Sequence, residues 1–374
     1  RQMGAFPRDR DDNCYLCQAI KIEGFSGVSP GHNLDILPTV TTSRTERRSD
    51  FPDGGFNEKE SDLDAGLTAR WGFTPNLTLS ATVNPDFSQV EADALQLDVN
   101  QPFALFFPEK RPFFMEGADF FSTQILATYT RMIRDPLWGA KITGKEGAHT
   151  IGAYVVEDDM TNLILPGPQG SSGAVLEQGN TATVLRYKRD AGNRFTVGTL
   201  LTDRQGKGYR NSLGGADVNL RFGAGDRVLL QVLSSRTEYP GEISSAYGQP
   251  TGLFHGTAAN LLYMRHSRGL GWWLQAHSFD PGFRTDLGFE PQVDVRGGEV
   301  GLDQNWIGTD QTWYSNLNLK AKFEHREQHD GSLLFAEHVV QFTAQGPMQS
   351  RLVLRVADAQ EGYAGRKWDA DGLV

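Results

Sequence analysis

Polar and apolar side chains alternate with a period of two along most of this chain. Within 316–326 one face reads Asn316, Asn318, Lys320, Lys322, Glu324 and Arg326, and the other Leu317, Leu319, Ala321 and Phe323. That is a strand with one wet and one apolar side. The same alternation sets Ala216, Val218, Leu220 and Phe222 against Asp217, Asn219 and Arg221, and Leu352, Leu354 and Val356 against Arg351 and Arg355. The pattern predicts about sixteen or seventeen strands, near 18–28, 33–46, 60–72, 75–83, 125–134, 137–145, 148–157, 179–190, 193–203, 213–223, 226–236, 256–267, 270–280, 295–307, 311–327, 333–345 and 350–358. Many would run nine to thirteen residues, longer than the usual strand of a soluble domain. Turn signals separate them at Asp190-Ala191-Gly192-Asn193, Gly223-Ala224-Gly225-Asp226, Gly144-Lys145-Glu146-Gly147 and Ser267-Arg268-Gly269-Leu270.

Short turns alternate with long polar stretches, such as 158–178 and 237–255, an asymmetry typical of outer-membrane barrels. A propeller would show a repeat of about forty to fifty residues, and none is visible. A sandwich uses fewer and shorter strands. Aromatic residues gather near strand ends, among them Trp71, Phe73, Trp138, Tyr154, Trp272, Trp273, Trp306, Trp313 and Tyr314, where interfacial girdles would lie. The prediction is an all-β fold, a large antiparallel up-and-down β-barrel of outer-membrane type with about sixteen or more strands. It forms a single domain over 1–374, with polar faces such as Asn316, Asn318, Lys320 and Lys322 lining a wet lumen.

Composition narrows the function. A net charge of −10 argues against nucleic acid as a partner, which would need a basic face. No run approaches the roughly eighteen apolar residues of a membrane helix, whereas barrel strands need only about ten, every second one apolar. Cys14 and Cys17 form a lone C-x-x-C without a nearby His; a local disulfide or two ordinary thiols are the readings left open. No cofactor is expected. His325 and His329 stand four apart at a strand end and in a turn, and Asp158-Asp159 opens a loop; all read as solvated rather than metal-bound.

One segment breaks the alternation. Residues 84–121, NPDFSQVEADALQLDVNQPFALFFPEKRPFFMEGADFF, run to nearly forty residues and combine many phenylalanines with carboxylates. Loops of this length are usually functional or disordered, and disordered segments lack aromatics. The expectation is an inserted element, 84–122, acting as a plug or end clamp in the barrel. Asn84-Pro85-Asp86 should end a strand. Glu91 and Asp93 offer two oxygen ligands, too few to specify a metal. In the run 106–114 two prolines bracket Glu109, Lys110 and Arg111, and Phe113 and Phe114 supply apolar anchors. Arg111 should pair with one of Glu91, Asp93, Glu109 or Glu116. Asp86, Glu91, Asp93, Glu109, Lys110, Arg111, Phe113, Phe114 and Glu116 are therefore the candidate ligand or plug residues. Glu109 and Glu116 are also the carboxylates of the alternative reading, a cell-envelope glycoside hydrolase.

The strings LTLSATVNPDFSQVEADALQLDVN, FFPEKRPFFMEGADFF and DPLWGAKITGK resemble a bacterial family known only as a conserved barrel domain of unknown function. Its members usually carry an N-terminal module similar to family-9 carbohydrate-binding domains. The resemblance implies a barrel in the outer membrane of a Gram-negative-type bacterium, with membrane lipid and a glycan or other small substrate as partners. It supplies no catalytic residue. The carbohydrate-binding-like module is absent from this sequence and a terminal aromatic strand end is missing, so the chain is expected to be truncated at both ends.

Overall fold

Each alternating run forms a strand, and turn residues decide where it stops. The computed structural model describes Ile20 and residues 33–48, 56–85, 102–363 and 366–373; Cys14, Cys17, Asp86, Glu91, Asp93 and the strand expected near 18–28 lie outside them. In chain order the strands are β1 (Leu34–Arg48), β2 (Phe56–Thr74), β3 (Leu77–Val83), β4 (Pro136–Glu146), β5 (His149–Asp158), β6 (Thr161–Pro166), β7 (Ser171–Leu176), β8 (Asn180–Ala191) and β9 (Phe195–Gly206). They continue with β10 (Tyr209–Phe222), β11 (Asp226–Glu238), β12 (Leu253–Arg265), β13 (Leu270–Phe279), β14 (Val295–Ile307), β15 (Asn316–Glu327), β16 (Leu333–Gln345), β17 (Arg351–Tyr363) and β18 (Arg366–Leu373). Sixteen of them pair antiparallel in one up-and-down sheet in chain order, β5 pairing with β8 across a separate hairpin of β6 and β7. Among the described residues, β1 and β18 are not paired with each other.

The connections divide by end. Turns of two to eight residues join β2–β3, β4–β5, β8–β9, β10–β11, β12–β13, β14–β15 and β16–β17. The opposite end carries the long excursions: 84–135, the β6–β7 hairpin between β5 and β8, 239–252 with helix α2 (Gly241–Tyr247), and 280–294. Two sequence expectations need correction. Residues 125–134 form no strand of the sheet; only Thr130–Met132 makes a single 3-10 turn. Their alternation comes from burial on both sides as the chain crosses the interior, and their backbone bonds go elsewhere: Ile125 N–H donates to Gln231 Oε1 at 2.7 Å and Tyr129 N–H to the Leu287 carbonyl at 2.6 Å. The stretch 158–178 is not an outer polar loop. Its β6 is buried throughout, because Leu163, Leu165, Ala174 and Leu176 pack on Tyr209, Tyr239 and Ile243.

The sheet curls around this material. From the interior, Gln169 Nε2 reaches the carbonyl of Gly362 on β17, and Phe113 lies against Gly139 on β4. One core joins Phe113, Phe114, Phe121, Ile125 and Ile133 to Tyr154, Val184, Leu200, Leu213, Leu233 and Phe283. The other face of the sheet is apolar and open. Leu200 is 1% exposed and the next residue, Leu201, 54%; Val232 is 50% and Leu233 1%. Leu274, Leu302, Val340 and Leu354 continue this outward set.

Gly256 on β12 shows how close the interior comes. A Cβ there would lie 2.1 Å from the backbone nitrogen of Phe283, so only glycine lets the 280–294 connection cross. Gly256→Val is expected to destabilise by the upper end of about 1–3 kcal/mol, read as a lower urea midpoint in detergent. Gly241→Ala, where a Cβ meets nothing within 4 Å, should leave the midpoint unchanged.

Candidate functional site in the sheet interior

The run 106–114 builds a clamp around Arg111. Pro112 starts the one-turn helix α1 (Pro112–Met115), where a missing N–H costs nothing. Arg111 is 3% exposed and grips Glu109 with two atoms, Nε to Oε1 at 2.9 Å and Nη2 to Oε2 at 2.7 Å. Its remaining donors meet the carbonyls of Ile133 and Thr130, both at 2.7 Å, and its guanidinium lies 4.4 Å from the Phe114 ring centre. Glu109 also accepts the Thr130 hydroxyl at 2.6 Å. Burial acts to raise the Glu109 carboxyl, but the hydrogen bonds and charge of Arg111, with Thr130, outweigh it and hold the group below its ordinary value.

Of the partners considered for Arg111, the geometry selects Glu109. Glu116 is exposed and faces Arg70 of β2 at 3.4 Å, and Lys110 is exposed. Phe113 and Phe114 are buried as anchors. Lys141 of β4 reaches inward to donate to the carbonyls of Phe113 and Glu116. Glu109 and Glu116 thus look to different partners, and a carboxyl held ionised lacks the raised pKa of a glycosidase acid. Beside Glu109 lies a half-open space of about 250 Å³, walled by Phe106, Phe114, Phe121, Tyr129 and Tyr154. Tyr154, expected at an interfacial girdle, is instead buried here because its strand turns it inward against Phe121, and its hydroxyl has no partner among the described residues.

A second buried cation, absent from the sequence reading, anchors the far end of the segment. Arg204 on β9 is fully buried. It donates to Asn180 Oδ1 at 2.8 Å, to the carbonyls of Asn162, Asp286 and Met132 at 2.7, 3.1 and 3.1 Å, and to Asp158 at 3.4 Å. Asp286 in turn accepts the hydroxyls of Tyr209 and Tyr239 at 2.8 and 3.0 Å. Asp158, expected in solvent, is buried here, where it also accepts the backbone N–H groups of Arg134 and Asp135; only Asp159 is exposed. His325 and His329 do not converge: His329 meets Asp294 at 3.1 Å and His325 meets Glu327 at 3.5 Å. Among the described residues no group of three or more His, Cys, Asp or Glu could hold a metal ion.

The interior is filled mainly against β5 to β12 and leaves a wall of charge along β14 to β17. Lys322 sits among Glu337, Glu324 and Glu299 at 2.6, 2.9 and 3.8 Å. Arg326 pairs with Glu324 at 3.0 Å and Arg355 with Glu337 at 3.3 Å. Between this wall and the inner segment is a cavity of about 390 Å³, lined by Gln124, Leu126, Phe289 and Glu290 on one side and by Asn260, His277, Phe279, Glu299, Glu324 and Arg326 on the other. Glu290 accepts one long bond, from Gln292 N–H at 3.4 Å, and burial pushes its carboxyl up to about 8. The sequence held a signal for Glu290 and Asp286: the gap 281–294 between two strands is itself long and carries Phe283, Leu287 and Phe289.

Arg111→Ala leaves Glu109 buried without its cation and should cost about 3–5 kcal/mol, measured by urea unfolding in detergent; Arg111→Lys keeps the charge but loses the fork and should fall between. Because the folded Glu109 value is lowered, its stabilisation is fully present above the ordinary value of 4.5 and lost as pH falls through the folded value. The acid-side loss of stability should therefore be smaller in Arg111→Ala than in the native chain.

The chain is similar to solved structures from Pseudomonas aeruginosa, among them the outer membrane protein OpdK. OccK1 (OpdK) is 14% identical with a TM-score of 0.39, covering 93% of this chain and 87% of that one. OpdL is 13% identical with a TM-score of 0.40, covering 93% and 89%. OccK5 (OpdH) is 11% identical with a TM-score of 0.40, covering 93% and 86%. No curated protein matches the chain. Residues 33–150, which hold β1 to β4 and the Arg111 clamp, match the family model described as a domain of unknown function, DUF5916.

Proposed function

We propose that the chain is an outer-membrane β-barrel whose interior segment narrows a lumen that binds or passes a small polar solute. The carrying observation is the outward face. Alternate residues of the long strands present Leu201, Val232, Leu274, Leu302, Val340 and Leu354 about half exposed, while their neighbours turn inward. Each such side chain gains about 1.5–3 kcal/mol by leaving water, and a continuous apolar band of this kind fits lipid rather than solvent. At the short-turn end the band is edged by exposed Trp71, Phe73, Phe195, Phe222 and Trp306, with Arg265 lying 5.1 Å from the Trp272 ring. This edge fits a membrane–water interface.

The lumen's open side is the charged wall along β14 to β17. Its carboxylates and cations stand in alternation, so it offers hydrogen-bonding groups of both kinds and suits small polar solutes, sugar-like ones among them. The segment held by Arg111 and Arg204 sets how wide the passage is.

Two measurements test this reading. The full-length protein should be extracted from membranes only with detergent and migrate faster unheated than heated on a cold gel; a protein soluble without detergent and showing no shift would sink it. In planar bilayers, Arg111→Ala should raise the single-channel conductance by loosening the segment, and an unchanged conductance would count against a constricting role.

A further inference from the structure

The charges along the wall are matched, whereas one carboxyl facing them is not. Glu299 has Lys322 at 3.8 Å and Glu324 has Arg326 at 3.0 Å. Glu290 approaches the same cavity from the 280–294 connection. Among the described residues its one hydrogen bond is that from Gln292 N–H, and no cation pairs with it. Close by, Asn260 Oδ1 and both polar ends of the Gln124 amide are enclosed and have no partner among the described residues. The rings of Phe279 and Phe289 complete the walls.

These features ask for one kind of occupant. An unpaired carboxyl in a poorly solvated site calls for positive charge. The unpartnered acceptors Asn260 Oδ1 and Gln124 Oε1, on residues that line the cavity, call for N–H donors. Aromatic walls call for an apolar body, and they attract a cation by the charge distribution of their faces. A sugar brings donors but no charge. An inorganic cation would find too few oxygens and an apolar wall it cannot use. An anion would meet Glu290, Glu299 and Glu324, the lining's one arginine, Arg326, being already paired with Glu324 at 3.0 Å.

We propose that this cavity is a binding site for a small organic ammonium ion with an apolar body, with Glu290 as its counter-charge. As a statement about what the lumen passes, this rests on the function proposed above; as a binding site it rests on the cavity alone.

The test is calorimetric titration of the full chain folded in detergent, in mildly alkaline buffer where Glu290 is ionised. Benzylamine, benzyl alcohol and benzoate share a ring and differ in charge. Benzylamine should bind at least about tenfold more tightly than either, the scale of one charge-assisted hydrogen bond. Glu290→Gln should abolish that preference while keeping the heat-dependent gel shift. Equal binding of the three probes, absent binding of benzylamine, or an undiminished benzylamine affinity in Glu290→Gln overturns the proposal. The ranking of the probes is made on the unsubstituted chain, so it decides even where the variant fails to fold. The titration involves no membrane: a chain that binds benzylamine yet conducts nothing in bilayers overturns the passage reading and leaves this site standing.

Discussion

An irregular chain inside a sheet must find donors for its carbonyl groups, and that requirement organises this molecule. A strand satisfies its backbone on its neighbours; residues 102–135 have few such neighbours, and an unmatched buried carbonyl is costly. Long cationic side chains fill the gap. Arg111 serves Thr130 and Ile133, Arg204 serves Met132, Asn162 and Asp286, and Lys141 serves Phe113 and Glu116. Arg284 does the same for Pro281 and Phe283 in the second inward connection. These buried cations act as backbone partners first and ion-pair partners second. Each sits where two inward excursions meet or where one meets the sheet. The apolar anchors add adhesion but no direction, so it is the cations that fix where each piece lies.

The strand pattern was legible because period-two alternation records which side of a sheet a residue faces, and this sheet has two very different sides. Ala216, Val218 and Phe222 against Asp217 and Asn219 told outside from inside directly. The rule failed where both sides of the chain are enclosed. At 125–134 alternation persisted without pairing, and in β6 the run Leu163-Ile164-Leu165 sat in a stretch that composition called polar. The clamp was half legible: two prolines and flanking phenylalanines marked Arg111 as held, but choosing Glu109 over Glu116 depended on the turn geometry that brings Glu109 back onto its own guanidinium. Arg204 was hidden. A cation on an inward strand face looks the same in sequence whether it meets water or a carbonyl.

Filling is lopsided, and the lopsidedness divides the labour within one sheet. Against β5 to β12 the inner face is apolar or tied into the buried network, so that side acts as scaffold. Along β14 to β17 the inner face keeps its charges paired among themselves, which spares it the cost of isolated buried ions and leaves it wettable. The cavity lies at the seam. Its residues come from both sides, so its shape depends on how firmly the inward connections are held.

The placement of the inner segment in the chain also bears on how the molecule assembles. Residues 102–135 are made before most of the sheet, yet they bond to residues far downstream: Ile125 to Gln231, Tyr129 to Leu287, Ala127 to Thr285. Contacts so distant in sequence form late and slowly. Phe113 and Phe121 can pack early, on Gly139 of β4 and Tyr154 of β5, but Ile125, Ala127 and Tyr129 wait for β11 and the 280–294 connection. The segment is therefore seated from its β4 and β5 side first and locked from the other side last, so its final position is set only once the downstream strands have formed.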